Sequence, residues 1–170
     1  MNNDNHDSSL GVDNEDNKEI MLKEIDLIQS CINRMSQNSF IIKGWAISLN
    51  GIIVALFADK GHPIITQIIC IVSILCFWYL DAFFLLAEKL YRWKYEWVIS
   101  NRLTSKECMY DLDPHNSKMW IKNQDGNDKV EPSVGSVMWT DSLRYMYVAI
   151  LIVNIVLLVM AIANWIGSLV

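Results

Sequence analysis

Charge is scarce in this 170-residue chain, at 19% of residues, and the short signatures of catalysis are missing. There is no GxSxG elbow, Walker loop, HExxH or GxGxxG. No arginine stands ahead of a histidine in the RxxxxH spacing of membrane-linked ribonucleases. The four cysteines, Cys31, Cys70, Cys76 and Cys108, form no CxxC pair. They read as small buried apolar residues rather than as disulfides or metal ligands. "DLDPH" offers Asp111, Asp113 and His115 to a cation but reads as a turn. An enzyme, a metal and a cofactor are therefore not expected. Internal repeats are absent too, and the acidic, polar amino terminus does not read as a secretory signal peptide.

What the chain has instead is apolar length. It is 52% hydrophobic, with a mean hydropathy of +0.21, too apolar for an ordinary soluble domain. Three stretches carry the excess: Phe40–Ala58, Pro63–Ala87 and Leu143–Trp165. Each approaches or exceeds the roughly 20 residues that a spanning helix needs. The expected fold is an all-α membrane protein of three transmembrane helices, with cytoplasmic helical extensions and a small irregular cytoplasmic loop region.

Charge sets the expected orientation. Only Lys60 marks the turn between the first two spans, around Lys60–His62. The connection to the third span holds Lys89, Arg92, Lys94, Arg102, Lys106, Lys118, Lys122 and Lys129. Positive charge stays inside. The amino terminus and the long connection are thus expected in the cytoplasm, with the carboxyl terminus periplasmic.

The expected order is a disordered acidic tail (1–15), a cytoplasmic heptad helix (16–39), a transmembrane hairpin (40–88), a cytoplasmic helix extension and loop (89–142) and a third transmembrane helix (143–170). The helix start near Asp16 rests on a capping-box variant, with Glu19 three residues on. Met21, Ile25, Ile28, Ile32 and Met35 then form an a/d seam, which expects protein as its partner, its own loop or a second subunit. In the loop, Met119–Asn123 and Asp128–Glu131 around Asp125-Gly126 suggest a small hairpin.

Polar residues inside apolar spans are costly and so informative. Counted at 1.5 Å per residue from the turn, Lys43 and Asp81 both lie about 27–30 Å away. They are expected to pair at the cytoplasmic edge of the hydrocarbon, as a structural bond. Asn50, Ser73 and Asn154 share mid-membrane depth, as interhelical hydrogen-bonding groups or as the lining of a pore. Gly44, Ser48, Gly51, Ala55 and Ala58 make a stripe of small residues suited to close helix packing in a homo-oligomer. "YRWKYEW" interleaves aromatic and basic residues. It reads as an interfacial belt, with a second reading in which Arg92, Trp93, Lys94 and Trp97 contact an anionic nucleotide or single-stranded nucleic acid.

Two blocks, Arg34–Leu49 ("RMSQNSFIIKGWAISL") and Phe77–Val98 ("FWYLDAFFLLAEKLYRWKYEWV"), resemble a family of small bacterial inner-membrane proteins. By a looser analogy the chain is similar to the transmembrane effectors of anti-phage systems, including the Hailong type. That resemblance implies a bacterial inner-membrane protein, an oligomeric channel, a nucleotide signal and a cytoplasmic defence partner. The leading expectation is a homo-oligomeric transmembrane effector that forms or gates an ion path under such a signal. The alternative is a non-conducting anchor or scaffold that recruits a cytoplasmic partner. A nuclease accessory ranks last.

Overall fold

The structure, a computed structural model, describes residues 4–57, 63–122 and 126–168, and for residues 4–14 and 57 the backbone alone. The expected tail residues 1–3, the turn around Lys60–His62, Ala58 of the small-residue stripe and Asp125 lie outside the described residues. The chain is all-helical. Helix α1 is Asp4–Phe57, α2 is Pro63–Asn101, α3 is Val134–Met138 and α4 is Asp141–Gly167, with a 3₁₀ turn at Ser117–Met119. Among the described residues, three stretches are long and apolar enough to cross a membrane: Glu15–Leu56, Pro63–Asn101 and Asp141–Gly167.

Two expectations need correction. Helix α1 starts at Asp4, so the described part of the 1–15 tail is helical and Asp16 is no helix start. No proline precedes Pro63. A helix that is already nucleated adds one hydrogen bond per residue, and nothing here stops it. Glu19 turns forward to Lys23 at 2.7 Å rather than back to a cap. The loop hairpin is also absent, since the described residues hold no strand. Met119 is instead fully buried in the 3₁₀ turn, and the Trp120 indole donates to the Pro114 carbonyl at 3.0 Å. Burial of these two side chains overrides the local strand pattern.

The chain divides into two compact units: Met1–Ser36 with Ala87–Glu131, and Gln37–Leu86 with Pro132–Val170. In the first, the loop-bearing unit, Ile28, Cys31, Tyr91, Val98 and Met119 form the core. Met21, Ile25, Ile32 and Met35 pack against it, so the heptad seam of α1 is covered by α2 and the loop of its own chain.

The second, the three-helix unit, is patterned in the reverse of a soluble protein. Its buried positions include Ser39, Gln67, Asp81 and Asn154, whereas Ile47, Ile52, Ile68, Val72, Ile152 and Val156 face outward. Outward apolar faces with polar groups turned inward are what a hydrocarbon solvent selects. On α4 the buried Tyr147, Asn154 and Ala161 recur every seven residues, one narrow stripe on an otherwise lipid-like helix. Short α3 precedes α4 and is capped by Ser133, whose Oγ accepts from the Ser136 N–H at 3.2 Å.

Candidate functional site

In the three-helix unit, the polar chemistry converges on Asp81. Its side chain is fully buried. Lys43 Nζ lies 3.0 Å from Asp81 Oδ1 and 2.9 Å from Oδ2. One turn before Lys43, the Ser39 hydroxyl also donates to Oδ1 and accepts from Lys43 Nζ at 2.6 Å. From α4, the Tyr147 hydroxyl donates to Oδ2 at 3.0 Å. Trp78 stacks on the Tyr147 ring at 5.8 Å and donates its indole N–H to the Met138 carbonyl at 3.0 Å.

One carboxylate thus takes donors from α1 and α4 while standing on α2. A buried charge needs a paired cation and further hydrogen bonds to be tolerated, and Asp81 has both. With its oxygens occupied by three donors, it is built to tie helices together rather than to exchange protons with a substrate. Depth counting placed Lys43 and Asp81 level. It missed Ser39 and Tyr147, whose hydroxyls are too weakly polar to stand out against the apolar pattern.

The Asn50 and Asn154 amides bond reciprocally, at 3.4 and 3.2 Å, and Asn154 also donates to the Ile150 carbonyl at 2.8 Å. Ser73 is half-buried and takes no part in that exchange. The small residues Gly44, Ser48, Gly51 and Ala55 are exposed, and a side chain added at Gly44 or Gly51 would meet open space. Within one copy, then, these four residues leave an open face.

The loop-bearing unit has a second buried ion pair, which sequence reasoning missed. Arg102, almost fully buried, donates to both Glu24 carboxylate oxygens. It donates further to the carbonyls of Ser105, Glu107 and Cys108, at 3.1, 2.6 and 3.3 Å. The Glu24 carboxylate also accepts from the Tyr110 N–H. All five guanidinium N–H groups are in use in this way. The loop they hold contains Cys108 and Tyr110 at φ 50° and 56°, left-handed conformations uncommon outside glycine. Nothing in the local sequence links Glu24 to Arg102, which are 78 positions apart.

The four residues expected at an anionic ligand part company. Lys94 is fully buried, donating to the Asp113 carbonyl at 2.7 Å and lying 3.4 Å from Asp111. It offers no charge to a ligand, because the loop has closed over it. Arg92 is exposed and pairs with Glu88 at 2.7 Å. Trp93 meets Trp120 edge-on at 5.4 Å, with Lys129 at 4.8 Å over its ring. Trp97 carries the Arg102 guanidinium at 5.3 Å.

Of these four, Trp97 lines a groove of about 580 Å³ together with Trp120, Lys118, Lys122, Lys129 and Asp128. Lys122 and Asp128 are a loose, exposed pair at 3.7 Å, and Lys129 reaches Glu96 at 3.3 Å. Lys118 is exposed. Two indoles and three ammonium groups around one hollow suit an anion that carries a flat ring. The basic count of the loop was visible in sequence, but not its gathering around Trp97 and Trp120.

"DLDPH" is a turn: the Asp113 and His115 N–H groups donate to the Asp111 and Asp113 carboxylates at 2.8 and 3.0 Å. Among the described residues no cluster of His, Cys, Asp and Glu is arranged for a metal. Burial raises the Asp111 pKa. The Asn116 side chain, the Asp113 N–H and Lys94 more than offset that, and the net direction is below the ordinary value.

Compared with protein-family models, curated proteins and solved structures, the chain matches none.

Proposed function

We propose that the protein is a homo-oligomeric transmembrane effector that forms or gates an ion path, controlled by an anionic, ring-bearing ligand taken up in the groove at Trp97 and Trp120. The observation that carries this reading is that α1 and α2 each run unbroken through both units. Each helix therefore belongs both to the apolar three-helix unit and to the unit with the basic, aromatic groove. A ligand shifts a membrane equilibrium only by binding its two states unequally, and shared helices are the simplest way for groove occupancy to be felt in the membrane.

Self-association is supported by the open face of Gly44, Ser48, Gly51 and Ala55, which suits close approach of a second copy. The positive-inside pattern supports a cytoplasmic groove. A role in anti-phage defence at the bacterial inner membrane, beside a cytoplasmic partner, rests on the sequence resemblance.

A second reading has an observation of its own. Asn50 and Asn154 spend their amides on each other, and Asp81 is saturated. A non-conducting anchor needs no polar groups facing a pore, and an ion path would have to form between copies without these residues. The first test is particle mass in detergent with salt-dependent binding of a short single-stranded oligonucleotide. An oligomer whose binding falls steeply with salt supports the effector. A monomer that binds nothing at low salt removes it. The anchor passes no ions in liposomes, and that separates the two readings.

A further inference from the structure

One polar group in the three-helix unit has no use in the reading above. Gln67 is 7% exposed, and its carbonyl oxygen Oε1 is buried with no hydrogen-bond partner among the described residues. The same residue lines a cavity of about 300 Å³ with Val54, Thr66, Leu157, Met160 and Asn164. A buried carbonyl in apolar surroundings is costly until a donor reaches it.

The position of the cavity says what the donor can be. Gln67 is one turn after the start of α2 at Pro63, Asn164 is in the last turn of α4 and Val54 is close to the end of α1 at Phe57. All three long helices contribute from one end, so in a membrane the cavity sits where hydrocarbon gives way to headgroups. Its volume is far above the roughly 30 Å³ of one water, and a buried water needs two to four polar partners. Thr66 and Asn164 add polar groups to that of Gln67, but the lining is mostly apolar, and Val54, Leu157 and Met160 would hold water that filled the rest against hydrocarbon.

We propose that this cavity is a lipid site, in which Gln67 Oε1 accepts a hydrogen bond from the N–H of an aminoethyl phospholipid headgroup while an acyl chain lies along Val54, Leu157 and Met160. The inference needs only the membrane-spanning unit and stands apart from conduction and from the groove.

Phosphatidylethanolamine, its N-monomethyl derivative and phosphatidylcholine test it, with matched chains. All three are zwitterionic, and only the last has no N–H donor. Native mass spectrometry of the full chain, released from bilayers holding equal amounts of each, counts the retained lipid. The expected result is retention of the first two over phosphatidylcholine by roughly three- to tenfold, the worth of one net hydrogen bond. Gln67→Leu should abolish the preference. Equal retention of all three lipids by the unaltered protein would overturn the proposal and leave Gln67 to water. A preference that survives Gln67→Leu would overturn it as well. The comparison on the unaltered protein decides the matter should the variant fail to fold.

Discussion

Exchanging Lys43 for methionine leaves the Asp81 carboxylate with the Ser39 and Tyr147 hydroxyls and no cation. Asp81 has no exposed surface through which water could replace the lost charge. Removing one partner of a buried pair costs about 3–5 kcal/mol, and Lys43→Met should fall in that range. Asp81→Leu should cost less in charge, because the Lys43 side chain is 25% exposed and can turn toward water. It also strands two hydroxyls, at about 1–3 kcal/mol for each that stays buried and unpaired. The double variant removes both charges and leaves only the hydroxyls. It should therefore be more stable than the sum of the singles predicts, with a coupling of about 3 kcal/mol or more, the cost of stranding the Asp81 charge. Thermal melts of the four proteins in one detergent measure it, with helix content as the check on folding. Additivity to within about 0.5 kcal/mol would refute the reasoning and leave Lys43 as a residue that reaches the interface alone.

Further outcomes follow from the loop-bearing unit. Arg102→Lys should free residues 105–110, seen as faster amide exchange at Tyr110, because an ammonium cannot replace two bonds to Glu24 and three to carbonyls; unchanged exchange would count against the clamp. Ile28→Ala should lower stability by about 2–5 kcal/mol without changing the oligomer, since Ile28 is buried against its own chain; loss of the oligomer with the fold intact would mean that α1 packs between copies. The depressed pKa of Asp111 contributes stability that is full above the aspartate's ordinary value of 3.8 and is lost as pH falls through its lower folded value. The advantage over Asp111→Asn should accordingly hold at neutral pH and shrink on acidification below that value; a gap independent of pH down to 2 would contradict the assignment. Lys118→Glu with Lys122→Glu should weaken oligonucleotide binding and flatten its salt dependence by about one unit of slope for each phosphate no longer neutralised, whereas unchanged binding would take the groove out of the account.

Periodicity and depth made a definite part of this structure legible. The three spans show as apolar length, and the Lys43–Asp81 pairing follows because α-helical rise is constant from the turn. The seam from Met21 to Met35 is plain in α1, but its partner is not. Whether such a seam meets a second copy or its own loop depends on residues far apart in sequence. Glu24 and Arg102 were hidden for the same reason: ion pairs across the chain leave no period. Ser39 and Tyr147 were hidden by chemistry, since one hydroxyl at the edge of an apolar run looks like ordinary variation. The start of α1 went astray because a good capping pattern at Asp16 and Glu19 marks a possible helix end, not a necessary one. Lys94 was misjudged because an exposed-looking lysine on a helix can be covered by a loop that only tertiary packing brings over it.

Conduction is the most direct test of the whole account. The unaltered protein and the Lys118→Glu/Lys122→Glu variant are reconstituted in liposomes, and potassium flux is followed across a titration of the oligonucleotide on the groove side. Flux should change with ligand in the unaltered protein and lose that dependence in the variant. Liposomes that hold the folded protein and stay tight at every ligand concentration would contradict this expectation, and the chain would be read as an anchor.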